Sequence, residues 1–149
     1  MIRRDIRYQA AVLQEGCVLL AQMRMPDGRT FWLPPGGGRE GNETPEETVR
    51  REIFEETNLH VNVERLLFIE PDMPEGSYDY LHTYLCHPLS GNLAVGVEPE
   101  VASSTEPFPQ IHQLEWFDLN NPSAWEANQE IGAFNRAWLN RVRETLKSQ

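Results

Sequence analysis

The first third of the chain alternates short apolar runs with turn sequences, a pattern that predicts β-strands joined by tight turns. Tyr8–Leu13 and Cys17–Met23 are apolar stretches separated by Gln-Glu-Gly, and together they predict a β-hairpin. Thr30–Leu33 predicts a further short strand, which ends at a Pro-Pro-Gly-Gly-Gly sequence. Because proline has no N–H for a β-ladder and glycine admits unusual backbone angles, we expect Pro34–Gly38 to be a loop.

A helix with clear start and stop signals follows this loop. Thr44 is a good N-cap, Pro45 suits the first helical position, and Glu47 completes a capping box with Thr44. We expect the helix to end at about Thr57. Asn58 stands where a glycine often ends a helix, and asparagine is the next best residue in the left-handed conformation.

The second half of the chain predicts three more strands and a C-terminal helix. The strands are Val61–Glu70, Tyr78–Cys86 and Gln113–Leu119, and the acidic stretch Glu98–Gln110 is predicted to be an exposed loop. From about Asn128 the apolar residues have helical spacing, and one face carries Ile131, Phe134, Trp138, Val142 and Leu146. Strands and two helices without regular βαβ alternation predict an α+β fold, a mixed sheet flanked by both helices.

Composition and charge restrict the class of protein. At 149 residues and 40% hydrophobic content, the chain suits a single domain, residues 1–149, with a buried core. The net charge of −10 argues against binding to a nucleic-acid polymer, because an acidic surface repels phosphate backbones. Cys17 and Cys86 lack metal-site spacing and are expected to be reduced core thiols. The apolar runs are too short for a membrane span or a signal sequence, so we expect a cytoplasmic protein without a membrane partner.

Three glutamates on the first helix predict a cation site. Glu52, Glu55 and Glu56 have the spacing i, i+3 and i+4, which projects their carboxylates from one face. Like charges at this spacing destabilise an isolated helix, and Mg²⁺ or Mn²⁺ would compensate because both prefer hard oxygen ligands. Arg51, four residues before Glu55, is a second source of positive charge. For the trio alone, a solvated acidic surface is the alternative. The preceding glycine loop favours the metal site, because its backbone can approach an ion or a phosphate closely.

The segment from Gly37 to Leu59 resembles the Nudix box. That pattern is a glycine, five residues, a glutamate, seven residues, and then R-E-U-x-E-E-x-G-U, where U is aliphatic. Eight of its nine fixed positions match here, namely Gly37, Glu43, Arg51, Glu52, Ile53, Glu55, Glu56 and Leu59. The departure is Asn58 in place of the last glycine, a residue that also tolerates left-handed backbone. The resemblance implies a Nudix-like α/β/α sandwich, which agrees with the predicted order of elements.

The resemblance also implies a reaction and a metal-ligand set. Nudix enzymes hydrolyse a nucleoside diphosphate linked to another moiety, with Mg²⁺ or Mn²⁺ as cofactor, and the substrates include nucleoside triphosphates, nucleotide sugars and ADP-ribose. By position, Glu55 and Glu56 are implied metal ligands, and the carbonyl of Gly36 is a further ligand. Glu52 is implied to be a ligand or to position the attacking water. A small phosphorylated molecule as partner is compatible with an acidic protein, because divalent cations bridge the two negative charges.

The remaining box residues are implied to support this site. Arg51 belongs with the three glutamates to the implied catalytic residues, and together with Glu43 it orients the loop and the helix. Gly37 and Asn58 have structural roles. Family members often add an acid from a later loop at no fixed spacing. The candidates for that acid in this chain are Glu98, Glu100 and Glu106, and solvated loop charge is the alternative for each.

Substrate recognition is less specified by the sequence. Arg24 and Arg29 flank the turn before the box and are candidates to bind phosphates, with plain surface charge as the alternative. Trp32 and Tyr78 are candidates to stack on a base, although aromatic residues at strand positions more often belong to the core. Pro74 and Tyr78 also resemble markers of the ADP-ribose and dinucleoside-polyphosphate subfamilies, but neither decides the substrate.

Other functions remain open from the sequence. A catalytically silent Nudix-like module that binds a nucleotide is the main alternative, although such modules tend to lose one of the three glutamates, which are all present here. Isoprenoid-diphosphate isomerisation would need a protonating Cys and Glu pair, for which Cys17 and Cys86 have no recognisable context. The apolar face of the C-terminal helix either packs on the sheet or forms part of a homodimer interface.

Overall fold

The computed structural model describes residues 4–96 and 110–148, and its elements follow the predicted order. The strands are β1 Arg4–Gln14, β2 Cys17–Arg24, β3 Thr30–Leu33, β4 Gly36–Gly37, β5 His60–Pro71, β6 Tyr78–Ser90 and β7 Gln110–Asp118. The helices are α1 Pro45–Thr57, α2 Ser123–Glu126 and α3 Gly132–Lys147. None of the helices in these ranges is long and apolar enough to cross a membrane.

Strand β1 joins the two halves of one mixed sheet. Along one edge it pairs in parallel with β6, which pairs antiparallel with β5. Along the other edge it pairs with β4 and, at its last residues, with β2, which continues the sheet to β3 and β7. Successive side chains of a β-strand point to opposite faces, so Ala11 of β1 lies in a hydrophobic cluster on one face, while Ala10 and Val12 lie in a second cluster on the other.

Two hydrophobic clusters hold the helices on opposite faces of this sheet. One cluster lies under α1 and contains Val49 and Ile53 of that helix, both fully buried. The other contains Trp138 and Val142 of α3, packed against residues of β1, β2 and β3. The predicted arrangement, an α+β fold in which a mixed sheet is sandwiched between two helices, is therefore confirmed. Of the apolar stripe of α3, Ile131, Trp138 and Val142 are buried in the second of these clusters, while Phe134 and Leu146 are half-buried. The stripe therefore packs mainly on the sheet, which is the first of the two alternatives considered for it.

Several boundaries differ from the sequence prediction. β1 begins at Arg4 rather than Tyr8, because its pairing with β6 extends over a polar stretch. The predicted loop at Pro34–Gly38 contains a short strand, since Gly36 and Gly37 lie close enough to β1 to pair with it. α2 was not predicted, and it is anchored by the buried Trp125, whose indole N–H donates to the Asp118 carbonyl at 2.9 Å.

The two cysteines are free thiols, as predicted, but only one lies in the core. Cys86 is buried in the cluster under α1, and burial raises the pKa of its thiol to about 12. Cys17 is half-buried. A buried thiol with such a pKa remains protonated at neutral pH and does not reach a substrate.

The end of α1 confirms the expected left-handed residue and leads to a stability prediction. Asn58 has φ 65° and ψ 13°, its N–H donates to the Phe54 carbonyl, and its side chain donates to the Asn92 carbonyl at 2.8 Å. Asn58→Ala should lower the free energy of unfolding by about 1–2 kcal/mol, because alanine is strained in this conformation. Asn58→Gly should cost less, since it relieves the strain and loses only the side-chain hydrogen bond. Urea denaturation of both variants checks this order, and an alanine variant as stable as the glycine variant would contradict it.

Candidate active site

Helix α1 presents its glutamates to the glycine loop because its ends and its apolar face fix its orientation. The Thr44 side chain accepts a hydrogen bond from the Glu47 N–H, and the Glu47 carboxylate accepts one from the Thr44 N–H, which confirms the predicted capping box. Val49 and Ile53 are held in the core. Residues three and four positions apart share one side of a helix, so this anchoring brings Glu52 and Glu56 to the buried side that faces β4.

Two of the three predicted carboxylates are buried against the glycine loop. Glu52 is 5% exposed and Glu56 is 4% exposed. The Gly36 N–H donates to Glu56 Oε1 at 3.3 Å. A Cβ atom on Gly37 would lie 2.4 Å from Glu52 Cδ, so the carboxylate occupies the space that a side chain at position 37 would need. The loop and the helix therefore fit together through two glycines and two carboxylates.

Arg51 links the third carboxylate to the rest of the loop. Its guanidinium donates to both oxygens of Glu43, at 2.7 and 3.0 Å, and to the Gly38 carbonyl at 3.0 Å. The same guanidinium donates to Glu52 Oε1 at 3.0 Å and to Glu55 Oε2 at 3.3 Å. Arg51 thus ties the loop to the helix and neutralises part of the acidic cluster.

This ion pair shifts the pKa of both partners. The Arg51 guanidinium lowers the pKa of Glu43 from 4.5 to about 2, chiefly through their side-chain hydrogen bonds. The hydrogen bonds to Glu43 in turn raise the pKa of Arg51. Glu43 is therefore ionised throughout the neutral range and acts as a fixed anchor for Arg51.

The lowered pKa of Glu43 predicts how its contribution to stability depends on pH. A carboxylate with a depressed folded-state pKa stabilises the protein above its unfolded pKa and loses that contribution as pH falls. Glu43→Gln should therefore lower the free energy of unfolding by about 1–3 kcal/mol at pH 7, and the difference should shrink as pH falls from about 4.5 towards about 2. Urea denaturation of both proteins at several pH values checks this. A difference of the same size at pH 3 and pH 7 would contradict it.

The residues present fit a divalent cation, although they do not form a ready-made cage. Among residues 4–96 and 110–148, no group of three acidic, histidine or cysteine side chains is arranged to hold a metal ion. The carboxylates of Glu52 and Glu55 accept hydrogen bonds from Arg51 instead. Glu52 Oε2 is nevertheless buried and makes no hydrogen bond to a described residue. Buried carboxylate oxygens need a cationic or hydrogen-bonding partner, and hard oxygens are the donors that Mg²⁺ and Mn²⁺ prefer.

The four candidate substrate contacts lie in different surroundings. Trp32 is 3% exposed and packs edge-to-face on Phe117 in the cluster under α3, so the core alternative applies to it. Arg29 pairs with Asp27 at the exposed turn, and Arg24 contacts His112 at 3.0 Å. Among the described residues, Trp32 thus contacts the core, and the two arginines have separate partners.

Tyr78 lies nearer the box, and it is joined there by an arginine that the sequence reasoning missed. The Arg4 guanidinium donates to the Tyr78 hydroxyl at 3.4 Å, and its carbon lies 6.0 Å from the centre of the Tyr78 ring. Arg4 Nη1 would lie 3.0 Å from a Cβ on Gly38. A basic and an aromatic side chain therefore lie beside the glycine loop. The pairing of β1 with β6 brings Arg4 to this position. That pairing is a feature of the tertiary structure, which the local sequence does not show.

The three candidates for the additional acid, Glu98, Glu100 and Glu106, lie outside the described residues.

The comparison with known protein families agrees with this geometry. A family model for the NUDIX domain matches residues 6–138, which includes the glycine loop, all of α1 and both core clusters up to Trp138. The chain belongs to the Nudix family. Asn58 is thus a Nudix-box variant that keeps the left-handed turn of the usual glycine.

Individual Nudix relatives support the same assignment. The MutT-like protein of Streptomyces ambofaciens is 36% identical over 87 residues, which cover 58% of this chain and 54% of that protein. The human 8-oxo-dGDP phosphatase NUDT18 is 34% identical over 105 residues, which cover 68% of this chain and 32% of that protein. The chain thus spans about half of the Streptomyces protein and about a third of the human protein.

A solved Nudix structure shows the same fold over nearly the whole chain. The crystal structure of the MutT NUDIX hydrolase from Burkholderia pseudomallei has a TM-score of 0.67 and 27% sequence identity. The match covers 94% of this chain and 98% of that one. The Nudix α/β/α sandwich is therefore the fold of this protein.

Proposed function

We propose that this Nudix domain hydrolyses a phosphoanhydride bond in a nucleoside diphosphate linked to another moiety, with Mg²⁺ or Mn²⁺ as cofactor. The observation that carries the proposal is the pair of buried carboxylates, Glu52 and Glu56, held against the backbone of Gly36 and Gly37. Two buried carboxylates next to two glycines, which leave the loop backbone accessible, are better suited to binding a phosphate through a metal ion than to packing in a structural core.

The chain's own residues would share the work as follows. Glu56 and Glu55 would hold the metal, with the carbonyl of Gly36 as a further ligand. Glu52, whose Oε2 makes no hydrogen bond to a described residue, would hold the metal or accept a hydrogen bond from the attacking water. Arg51 and Glu43 would hold the loop against the helix, and Gly37 would keep the space for the Glu52 carboxylate. When bound, the metal supplies charge neutralisation of the diphosphate and activation of water.

The substrate is proposed only as a class. It would be a small nucleotide derivative such as a nucleoside triphosphate, a nucleotide sugar or ADP-ribose, and the human relative is named for cleavage of 8-oxo-dGDP. Arg4 and Tyr78 are the described residues best placed beside the loop to contact a phosphate and a ring. One of Glu98, Glu100 and Glu106 would supply the additional acid. Two free thiols also suit a reducing compartment, so we propose a cytoplasmic location.

A substrate panel tests this proposal directly. The purified protein would be incubated with millimolar Mg²⁺ and nucleoside triphosphates, oxidised nucleotides, ADP-ribose, nucleotide sugars and dinucleoside polyphosphates, with and without excess EDTA. We expect metal-dependent release of a nucleoside monophosphate from one class, identified by mass spectrometry. Folded protein that binds Mn²⁺ and cleaves none of these would instead favour the silent nucleotide-binding module.

A further inference from the structure

The backbone of the two consecutive prolines just before Gly36 can accept hydrogen bonds but cannot donate them. Neither Pro34 nor Pro35 has an N–H, and both are buried. β1 supplies a donor to each: the Ala10 N–H donates to the Pro35 carbonyl at 3.0 Å, and Arg7 Nη2 donates to the Pro34 carbonyl at 2.9 Å. The next residue, Gly36, then contacts Glu56. The position of the loop therefore depends on how β1 holds these donors.

A buried chain of hydrogen bonds continues from Arg7 through the sheet to α3. Arg7 Nε donates to Gln9 Oε1 at 3.3 Å, and Gln9 Nε2 donates to Thr83 Oγ1 at 3.1 Å. Trp138 Nε1 donates to the same Thr83 oxygen at 3.0 Å. Gln9 is 2% exposed, and Thr83 is fully buried. This series of hydrogen bonds thus links the C-terminal helix on one face to the Pro34 carbonyl beside the candidate metal site.

The direction of every bond in this chain is determined by the residue types. Guanidinium and indole groups can only donate, so Arg7 requires an acceptor and Trp138 requires an acceptor. The Gln9 amide has both an acceptor and a donor: its oxygen accepts from Arg7, and its NH₂ group donates to Thr83. A hydroxyl oxygen can accept twice, which allows Thr83 to receive both Gln9 and Trp138. A side chain at position 9 with neither a donor nor an acceptor would break this series of hydrogen bonds in the middle, whereas a carboxylate could accept from both Arg7 and the Thr83 hydroxyl.

Gln9 also supports the loop through its backbone. A Cβ atom on Gly36 would lie 2.6 Å from Gln9 Cα and 2.8 Å from Gln9 Cβ, so the two residues are in direct contact. Gln9 and Gly36 are also register partners in the pairing of β1 with β4. A shift of Gln9 is therefore passed to Gly36, and from Gly36 to the Glu56 carboxylate.

We propose that Gln9 is a positioning residue that holds Arg7 and the Pro34–Gly36 segment in the arrangement that Glu56 needs to bind the metal. This rests on the proposed function for its consequence in catalysis, but the positioning itself is a property of the loop. Active sites require such alignment to within about an ångström, and misplacement of that size can cost about 100-fold in rate.

The test compares Gln9→Met with Leu139→Ala. Methionine has the length of glutamine but lacks the amide, whereas Leu139→Ala weakens the core next to Trp138 and leaves the chain of hydrogen bonds complete. Amide hydrogen exchange at Gly36 and Gly37, Mn²⁺ titration and kinetics would be measured on both. For Gln9→Met we expect exchange at both glycines about fivefold faster and Mn²⁺ affinity and kcat about tenfold lower, with KM changed less than kcat. We expect Leu139→Ala to lower the melting temperature without these effects.

Two further variants keep the test decisive. Arg7→Met removes the outer end of the chain at a half-buried position, so it should reproduce the faster exchange even if Gln9→Met does not fold. Gln9→Glu keeps an acceptor for Arg7 and one for the Thr83 hydroxyl, so it should restore most of the protection. Unchanged exchange in Gln9→Met and Arg7→Met, or equal changes in Leu139→Ala, would overturn the proposal. If the wild type cleaves no substrate, the proposed function fails, while the exchange comparison still decides the role of Gln9.

Discussion

Glu56→Gln should lower kcat by roughly 100- to 1,000-fold, because it removes one negative charge from the proposed metal site without changing its shape. The glutamine oxygen can still accept the hydrogen bond from the Gly36 N–H, so the loop should stay in place. Folding should also survive. Glu56 lies beside the equally buried Glu52, and neutralising one of two neighbouring buried carboxylates relieves repulsion. The melting temperature of the variant should therefore equal or exceed that of the wild type.

The measurement is kcat and KM at several Mg²⁺ concentrations, with a thermal melt of each protein. Glu46→Gln is the matched control, because it makes the same chemical change on the same helix at an exposed position in the first turn. We expect Glu46→Gln to keep near-native kcat. Near-native kcat in Glu56→Gln would remove this residue from the metal site.

The helix of this site was predictable residue by residue because its signals are local. The N-cap Thr44, the capping box with Glu47 and the left-handed Asn58 all lie within one or two turns of the residues they affect, and each has the predicted conformation. The i, i+3, i+4 spacing was also a local signal, and it correctly placed the glutamates near one another. The four-residue spacing of Arg51 and Glu55 likewise indicated the contact that the structure shows between them. Spacing alone did not show that Glu52 and Glu56 would become buried.

The contributions of β1 were not predictable in the same way. Arg4 and Arg7 lie before the apolar run that marked the strand, and their positions follow from pairing with β6, more than 70 residues later in the chain. Such pairing depends on the tertiary fold rather than on neighbouring residues. The same limit applies to Trp32, whose burial against Phe117 arises from the distant strand β7. Residues that complete a site from another strand are therefore the ones that sequence reasoning missed or misplaced.

Gly37→Ala should lower kcat by about 100-fold or more, because the added methyl group and the Glu52 carboxylate cannot occupy the same space. The new Cβ would lie 2.4 Å from Glu52 Cδ and 2.5 Å from its Oε1. Glu52 is anchored by Arg51 and buried by the loop, so either the carboxylate or the glycine segment must move. Both movements disturb the contact between α1 and the loop.

Gly38→Ala provides the control one residue away. Its Cβ would lie 3.0 Å from Arg4 Nη1, the end of a flexible side chain that can move at little cost. We expect its kcat at saturating substrate to remain within about threefold of the wild-type value. The group that must move is Arg4, which is proposed to contact the substrate and not the metal, so its displacement should raise KM instead. Kinetics, melting temperature and Mn²⁺ affinity of both variants would be compared. Equal effects of the two alanine substitutions would show that the loop responds in the same way to a side chain at either position. The Glu52 carboxylate would then not be the reason for glycine at position 37.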